Sequence, residues 1–154
     1  MLVRRGVIDF TGGMFSTLIV IAALGSALVA GAFFVFSVMV MPALRAVDPA
    51  EGVAVMRSIN AAAVRPGFLG VFAGTAVVSV IAAFSGRPGA VAGAALYVVG
   101  SFLLTAVVHV PRNNALERDG STEFWKRYLA VWTAWNHVRA LAALGATTAL
   151  FLAV

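Results

Sequence analysis

From Met14 to Val40 the chain reads MFSTLIVIAALGSALVAGAFFVFSVMV, without one charged side chain. A helix needs about 20 apolar residues to cross a hydrocarbon core about 30 Å thick, so this stretch suffices for one tilted span. Arg4 and Arg5 precede it and Ala30-Gly31-Ala32 imitates a small-residue cleavage site, but the apolar run is too long for a signal peptide and continues to Met41. Working outward, a second run extends from Phe68 to Phe84 and ends at Ser85-Gly86-Arg87-Pro88-Gly89, a tight-turn signal. A third follows at once, from Ala90 to Val110, so the two form an antiparallel hairpin. The purely apolar part of the fourth run, Ala140 to Val154, rises only about 22 Å as a helix. To span, it must draw in the residues from about Trp132, which carries Trp135, Asn136, His137 and Arg139 to membrane or headgroup depth.

Composition agrees. Of 154 residues 62% are hydrophobic and 11% charged, mean hydropathy is +0.99, and a soluble fold cannot hide that much apolar surface. The predicted fold is all-α: one integral membrane four-helix bundle, residues 1–154 as a single transmembrane domain with spans at about 14–40, 68–84, 90–110 and 132–154. The absence of cysteine excludes disulfides, thiolate chemistry and iron–sulfur ligation. The net charge of +5 suits topology signals or anionic lipid, not nucleic acid, because no basic face of a soluble fold exists to carry it. Eight of the 11 basic residues fall from Arg45 to Arg65 or from Arg112 to Arg139, which by positive-inside counting makes that face cytoplasmic, although Arg4 and Arg5 argue the opposite way. The partners expected are the lipid bilayer and a hydrophobic small molecule, with a homo-oligomer left open, and the place is the cell membrane as a multi-pass protein.

Short amphipathic helices are predicted in the two longer loops. In the first, Met41 to Gly67, Asp48-Pro49-Ala50-Glu51 signals a helix start with Asp48 as cap and Pro49 at the first position. In the second, Asp119-Gly120-Ser121 is a turn leading into a helix from about Thr122. Along that helix Trp125, Tyr128, Trp132, Trp135 and Arg139 share one stripe at three-four spacing, either an interfacial aromatic belt or a ligand-stacking wall. Small residues at four-residue spacing, Ala27/Gly31, Gly70/Gly74 and Gly89/Gly93, suit close helix packing and nothing more.

The third run holds a polar stripe, Tyr97, Ser101, Thr105 and His109, that drifts by about 40° per step on a regular helix. It could line a cavity opening toward the polar loops, or serve ordinary interhelical hydrogen bonding. Both histidines, His109 and His137, fall where the third and fourth runs meet the second polar segment. They could be two metal ligands, an acid–base pair, or separately satisfied polar residues, and two histidines without a nearby carboxylate make a thin metal site. Met39, Met41 and Met56 could add soft ligands to copper but serve more simply as core filling.

Four blocks in order, Phe36-Ser37-Val38-Met39-Val40-Met41-Pro42-Ala43-Leu44, Met56-Arg57-Ser58-Ile59-Asn60, Val110-Pro111-Arg112-Asn113-Asn114-Ala115-Leu116 and Trp132-Thr133-Ala134-Trp135-Asn136-His137-Val138-Arg139, resemble the anthrone oxygenase-like family of small four-helix membrane proteins. The resemblance implies an oxidoreductase that uses dioxygen on a hydrophobic, planar aromatic, anthrone-like substrate, with no recognisable cofactor motif. The family pattern more often has Asn at the position of His109, a departure that bears on any metal role there, whereas His137 fits the pattern. An anthrone is acidic at its central methylene, and its carbanion can react with dioxygen directly, so one base and a stabilised oxyanion suffice. His137 is then the base candidate, with Arg139 and Asn136 as its catalytic neighbours. The substrate-binding candidates are Asn60, Thr105, His109, Asn113, Asn114, Trp132 and Trp135. The cofactor is either none or a metal held by His109 and His137. On a regular helix, however, residues 137 and 139 point about 160° apart and cannot both face one pocket.

Two other classes stay open: a non-enzymatic membrane protein, structural or partner-binding, and a transporter. The latter lacks the intramembrane carboxylates that ion coupling usually employs.

Overall fold

In the computed structural model, residues 2–154 are described, with side chains from Thr11 onward, and among them the chain is entirely helical. Helix α1 (Leu2–Val35) continues through a π-helical stretch, Phe36–Val40, into α2 (Met41–Ala46). A corner leads to α3 (Pro49–Ala63), and a second corner to α4 (Pro66–Ala83). After a tight turn come α5 (Pro88–Tyr97), two π-helical stretches, Val98–Leu103 and Thr105–His109, and α6 (Val110–Arg118) as one unbroken rod. The last helix is α7 (Thr122–Phe151).

Three of these rods are long and apolar enough to cross a membrane: Thr11–Ala46, Pro66–Ala83 and Pro88–Arg118. The side chains they leave exposed are themselves apolar, Leu24, Leu28, Phe34, Val77 and Val107 among them, a surface that is stable only against lipid. The protein is therefore a multi-pass membrane protein whose helices contact the bilayer. α7 has the length but not the uniform apolarity, since Glu123, Lys126, Arg127 and Arg139 lie in its first half and middle.

The helix starts follow local chemistry. The Asp48 carboxylate accepts the Ala50 N–H at 2.9 Å and Pro49 opens α3, as the sequence predicts. Ser121 Oγ accepts the Phe124 N–H at the head of α7. Asp119 in turn accepts the Ser121 N–H at 2.9 Å, which holds its carboxyl below the usual carboxylate range. Gly86, at φ +70°, makes the α4–α5 turn. The third rod extends further than its apolar run, because Val110–Arg118 stays helical beyond Pro111.

The π stretches explain that continuity. Proline lacks an N–H and its ring collides with the carbonyl four residues back. In the two rods with an internal proline the residue just before it bonds five residues back instead, Met41 N–H to Phe36 O and Val110 N–H to Thr105 O. The widened turn accommodates Pro42 and Pro111 without breaking the rod.

α1 packs on α4 and α7, and α5 packs on the same two helices, so the four close a ring. The ring's interior has three layers. Ile19, Ala22, Ala23, Ala82, Ala90 and Leu150 fill the end nearest the α4–α5 turn, where Arg87 also donates to Ser16 Oγ at 3.1 Å and to the Ala153 carbonyl at 2.9 Å. Val29, Phe33, Phe72, Ala76, Tyr97 and Ala146 fill the middle. At the far end α2, α3, α6 and the start of α7 build a cap around Met41, Leu44, Met56, Leu116, Trp125 and Trp132. Arg57 clamps this cap by donating to the Leu116 carbonyl from Nε (3.1 Å) and Nη2 (2.7 Å), where the end of α6 leaves carbonyls unpaired.

The glycine spacings divide differently from the sequence reading. Gly89 and Gly93 do lie against α7, but Gly31, Gly70 and Gly74 have open space where a side chain would be. The close approaches are made instead by Gly25 against Thr75 and by Gly52 against the Trp125 ring.

Candidate functional site

Between the middle layer and the cap lies a cavity of about 470 Å³, within the usual span of small-molecule sites. Its walls are mostly apolar, with Phe33 and Phe36 from the first rod, Met56 and Ile59 from α3, Phe68 and Phe72 from α4, Phe102 from the third rod, and Trp132 from α7. Five polar side chains reach it: Asn60, Thr105, His109, Asn113 and Arg139.

Arg139 dominates the electrostatics. It is 5% exposed, and its guanidinium sits over the Phe33 ring at 4.1 Å and the Trp132 ring at 5.1 Å, an aromatic bracket that favours a cation. Nη1 donates to Thr105 Oγ1 at 3.1 Å and Nη2 to Asn136 Oδ1 at 2.6 Å, while Nε is buried without a partner. Among the described residues no carboxylate pairs with it. A buried cation with neutral partners and a spare N–H is held ready for an anion.

Asn136 is the hinge of this arrangement. Its Nδ2 donates to the Phe33 carbonyl (2.7 Å) and Ser37 Oγ (2.8 Å) on the first rod, which leaves its oxygen facing Arg139. Ser37 and Thr105 both lie in π-helical stretches, which aim polar groups inward at the level of the cavity. The polar stripe of the third rod turns out to serve both uses left open by the sequence. Tyr97 donates to the Phe72 carbonyl at 3.0 Å and Ser101 to the Arg139 carbonyl at 3.2 Å, which is interhelical bonding. Thr105 and His109 line the cavity.

His109 is 1% exposed and stands edge-on to Trp132, ring centroids 4.9 Å apart. Neither ring nitrogen makes a hydrogen bond; the Trp135 carbonyl lies close by but outside bonding geometry. Across the cavity Asn113 Oδ1 accepts the Tyr128 hydroxyl (2.8 Å) and the Trp132 indole N–H (3.1 Å). Burial raises the Tyr128 phenol above its usual range, so it remains a neutral donor. Asn60 lies beside that hydroxyl with its Nδ2 buried and unbonded.

Several residues expected in the site do not line this cavity. His137 is exposed on the outer face of α7, beside Val138 and Trp135, and does not line the cavity. α7 is unbroken there, so turning Arg139 inward necessarily turns His137 out. The structure thus does not bring His109 and His137 together, and the two-histidine metal set is not assembled. Among the described residues no three His, Asp or Glu side chains gather in a way that could hold a metal ion. Trp135 is 39% exposed and Asn114 is exposed, both outside the cavity. Of the aromatic stripe, Trp125 and Tyr128 are cap core and Trp132 alone forms cavity wall. The sequence reading missed Phe33, Ser37 and Phe72. Ser37, one of four hydroxyl residues within the apolar run from Met14 to Val40, carried a faint signal; the two phenylalanines, among so many apolar neighbours, carried none.

A ring of helices around an internal, mostly apolar cavity, with a buried guanidinium that no carboxylate pairs among the described residues, defines a multi-pass helical membrane protein. A family model described as anthrone oxygenase matches residues 56–149, a segment that contains every polar side chain of the cavity. The chain belongs to the anthrone oxygenase family. No curated protein matches the chain, and no solved structure does.

Proposed function

We propose that this protein is a membrane-embedded oxygenase that oxidises a flat, enolisable, anthrone-like aromatic with dioxygen inside the cavity. The observation that carries the proposal is Arg139, buried, bracketed by Phe33 and Trp132, and without a carboxylate partner among the described residues. Family membership points the same way. A single transmembrane domain, with α7 from about Trp132 as a fourth span, completes the proposed architecture. Its support is the closed ring of α1, α4, α5 and α7 and the apolar exposed face of α7 at Leu141 and Leu144.

His109 is the base, because it is the ionisable group in the cavity with both nitrogens unbonded. It takes a proton from the substrate's central methylene. The resulting charge moves onto the ring ketone oxygen, where Arg139, with Thr105 beside it, stabilises it. Dioxygen adds at the carbanion carbon, and the hydroperoxide loses water. One oxygen atom ends in the new carbonyl and the other in water, and the methylene is oxidised to a ketone while dioxygen is fully reduced. Asn136 positions Arg139, while Trp132 and the phenylalanines offer flat faces to the rings. Asn60 and Asn113 are available to a second polar group on the substrate.

Dioxygen uptake by the purified protein with anthrone, together with appearance of the quinone, tests the proposal. Arg139→Gln should abolish most of that uptake, whereas uptake unaffected by this change would refute the role given to the cavity.

A further inference from the structure

We infer that the cavity is loaded sideways from the bilayer, through an apolar opening between the start of α4 and the stretch Thr105–His109, and that it selects membrane-dissolved aromatic alcohols or enols which seat their acidic oxygen on Arg139. The inference rests on the reading of Arg139 as the holder of an anionic oxygen, but not on dioxygen chemistry.

The cavity lining is sorted by exposure. The wall residues that are also exposed are Ala62, Val64, Phe68 and Leu69 on one side and Ala106 and Val110 on the other. All six are apolar. The polar lining residues are all withdrawn, with His109 and Arg139 buried and Asn60, Thr105 and Asn113 partly so. A mouth used from water would carry polar groups at its rim, whereas a rim of this composition is stable against lipid tails.

Helix packing places the gap at the same point. α4 packs mainly on α5 and on Val98–Leu103, whereas Thr105–His109 packs mainly on α6 and α7. Arg65 and Arg112 stand next to the rim in sequence, on its two sides. Such cations belong at headgroup level, which puts the opening just inside the hydrocarbon boundary. An amphipathic aromatic gathers there, with its ring in the tails and its hydroxyl toward water. Such a molecule passes the rim ring-first or edge-first and meets the guanidinium only once inside.

The test uses the full chain reconstituted in phosphatidylcholine vesicles with 2-naphthol, a weakly acidic aromatic alcohol, and naphthalene as the partner lacking the hydroxyl. Binding is read by stopped-flow quenching of tryptophan fluorescence. Covering the rim with Ala62→Phe plus Ala106→Phe should slow association and dissociation alike, by on the order of tenfold, and leave the equilibrium affinity within about twofold. A second rim pair, Val64→Phe plus Ala106→Phe, covers the case in which Ala62→Phe disturbs the α3–α4 corner, and an unchanged melting temperature qualifies either. Arg139→Gln should weaken naphthol binding and leave naphthalene unaffected. Unchanged rates in both rim variants, slowing by Asn114→Phe on the loop side instead, or equal binding of naphthol and naphthalene would overturn the inference. Should the naphthol results hold while anthrone consumes no dioxygen, the oxidation alone fails and the lateral route stands.

Discussion

The Arg139 guanidinium donates to Oδ1 of Asn136 at 2.6 Å, while Nδ2 of the same amide is tied to the Phe33 carbonyl at 2.7 Å and to Ser37 Oγ at 2.8 Å. One side chain thereby links α7 to the first rod and decides which way the cation faces. Asn136→Leu removes the link and leaves buried polar atoms unpaired on both sides. The expected cost is about 1–3 kcal/mol of stability, measured by thermal unfolding in detergent. Asn136→Asp should instead pair with Arg139 and neutralise it toward ligands, lowering naphthol affinity in a protein that still folds.

The two histidines should behave oppositely. His109 lines the cavity and His137 faces outward. His109→Ala is expected to lower turnover with an anthrone by roughly a hundredfold or more, the usual contribution of a general base. His137→Ala should stay close to wild type. Steady-state rates of the two variants, with melting temperatures alongside, separate a cavity base from an outward-facing one.

Glycine substitutions report on the cap without touching the chemistry. A methyl group at Gly52 would stand 2.8 Å from Trp125 Cζ2 and 3.1 Å from the Leu44 carbonyl. Gly52→Ala should therefore destabilise by about 1–3 kcal/mol through overpacking. At Gly31 and Gly74 nothing lies within 4 Å, so Gly31→Ala and Gly74→Ala should be neutral or stabilising by up to about 1 kcal/mol. Melting temperatures of the three variants check the order.

Crossing of the membrane by α4 and by the rod Pro88–Arg118 requires that residues on α3 and α6 share one side and that the α4–α5 turn lie on the other. The native chain contains no cysteine, so single cysteines at Glu51, Glu117 and Ser85 can be labelled one at a time with an impermeant maleimide in sealed vesicles. Glu51→Cys and Glu117→Cys should label from the same side and Ser85→Cys from the other. Labelling of the first two from opposite sides would contradict the bundle.

Much of this architecture is legible in the amino-acid order, because it depends on local rules. Length and apolarity disclose the first three rods, and Asp48-Pro49 and Asp119-Gly120-Ser121 disclose where α3 and α7 begin. Arg139 and Asn136, three residues apart on a helix, can be placed on one face. Which face turns inward is a different matter. His137 and Arg139 lie on opposite sides of α7, and only packing against Phe33, Ser37 and Thr105 decides between them. The π-helical stretches were equally hidden. Proline at 42 and 111 disfavours a continuous helix, whereas the five-residue bonds to Phe36 and Thr105 carry each rod through, with Ser37 and His109 buried.

The most direct measurement is the stoichiometry of dioxygen consumption by the purified, reconstituted protein with anthrone, in wild type and in Arg139→Gln. A buried guanidinium that stabilises the developing oxyanion predicts one dioxygen consumed per quinone formed, and a fall of about 100- to 1,000-fold in rate when Arg139 is replaced, with the bundle still folded. No protein-dependent uptake in wild type, or equal uptake in the two proteins, would contradict the assignment of the cavity as an oxygenase active site.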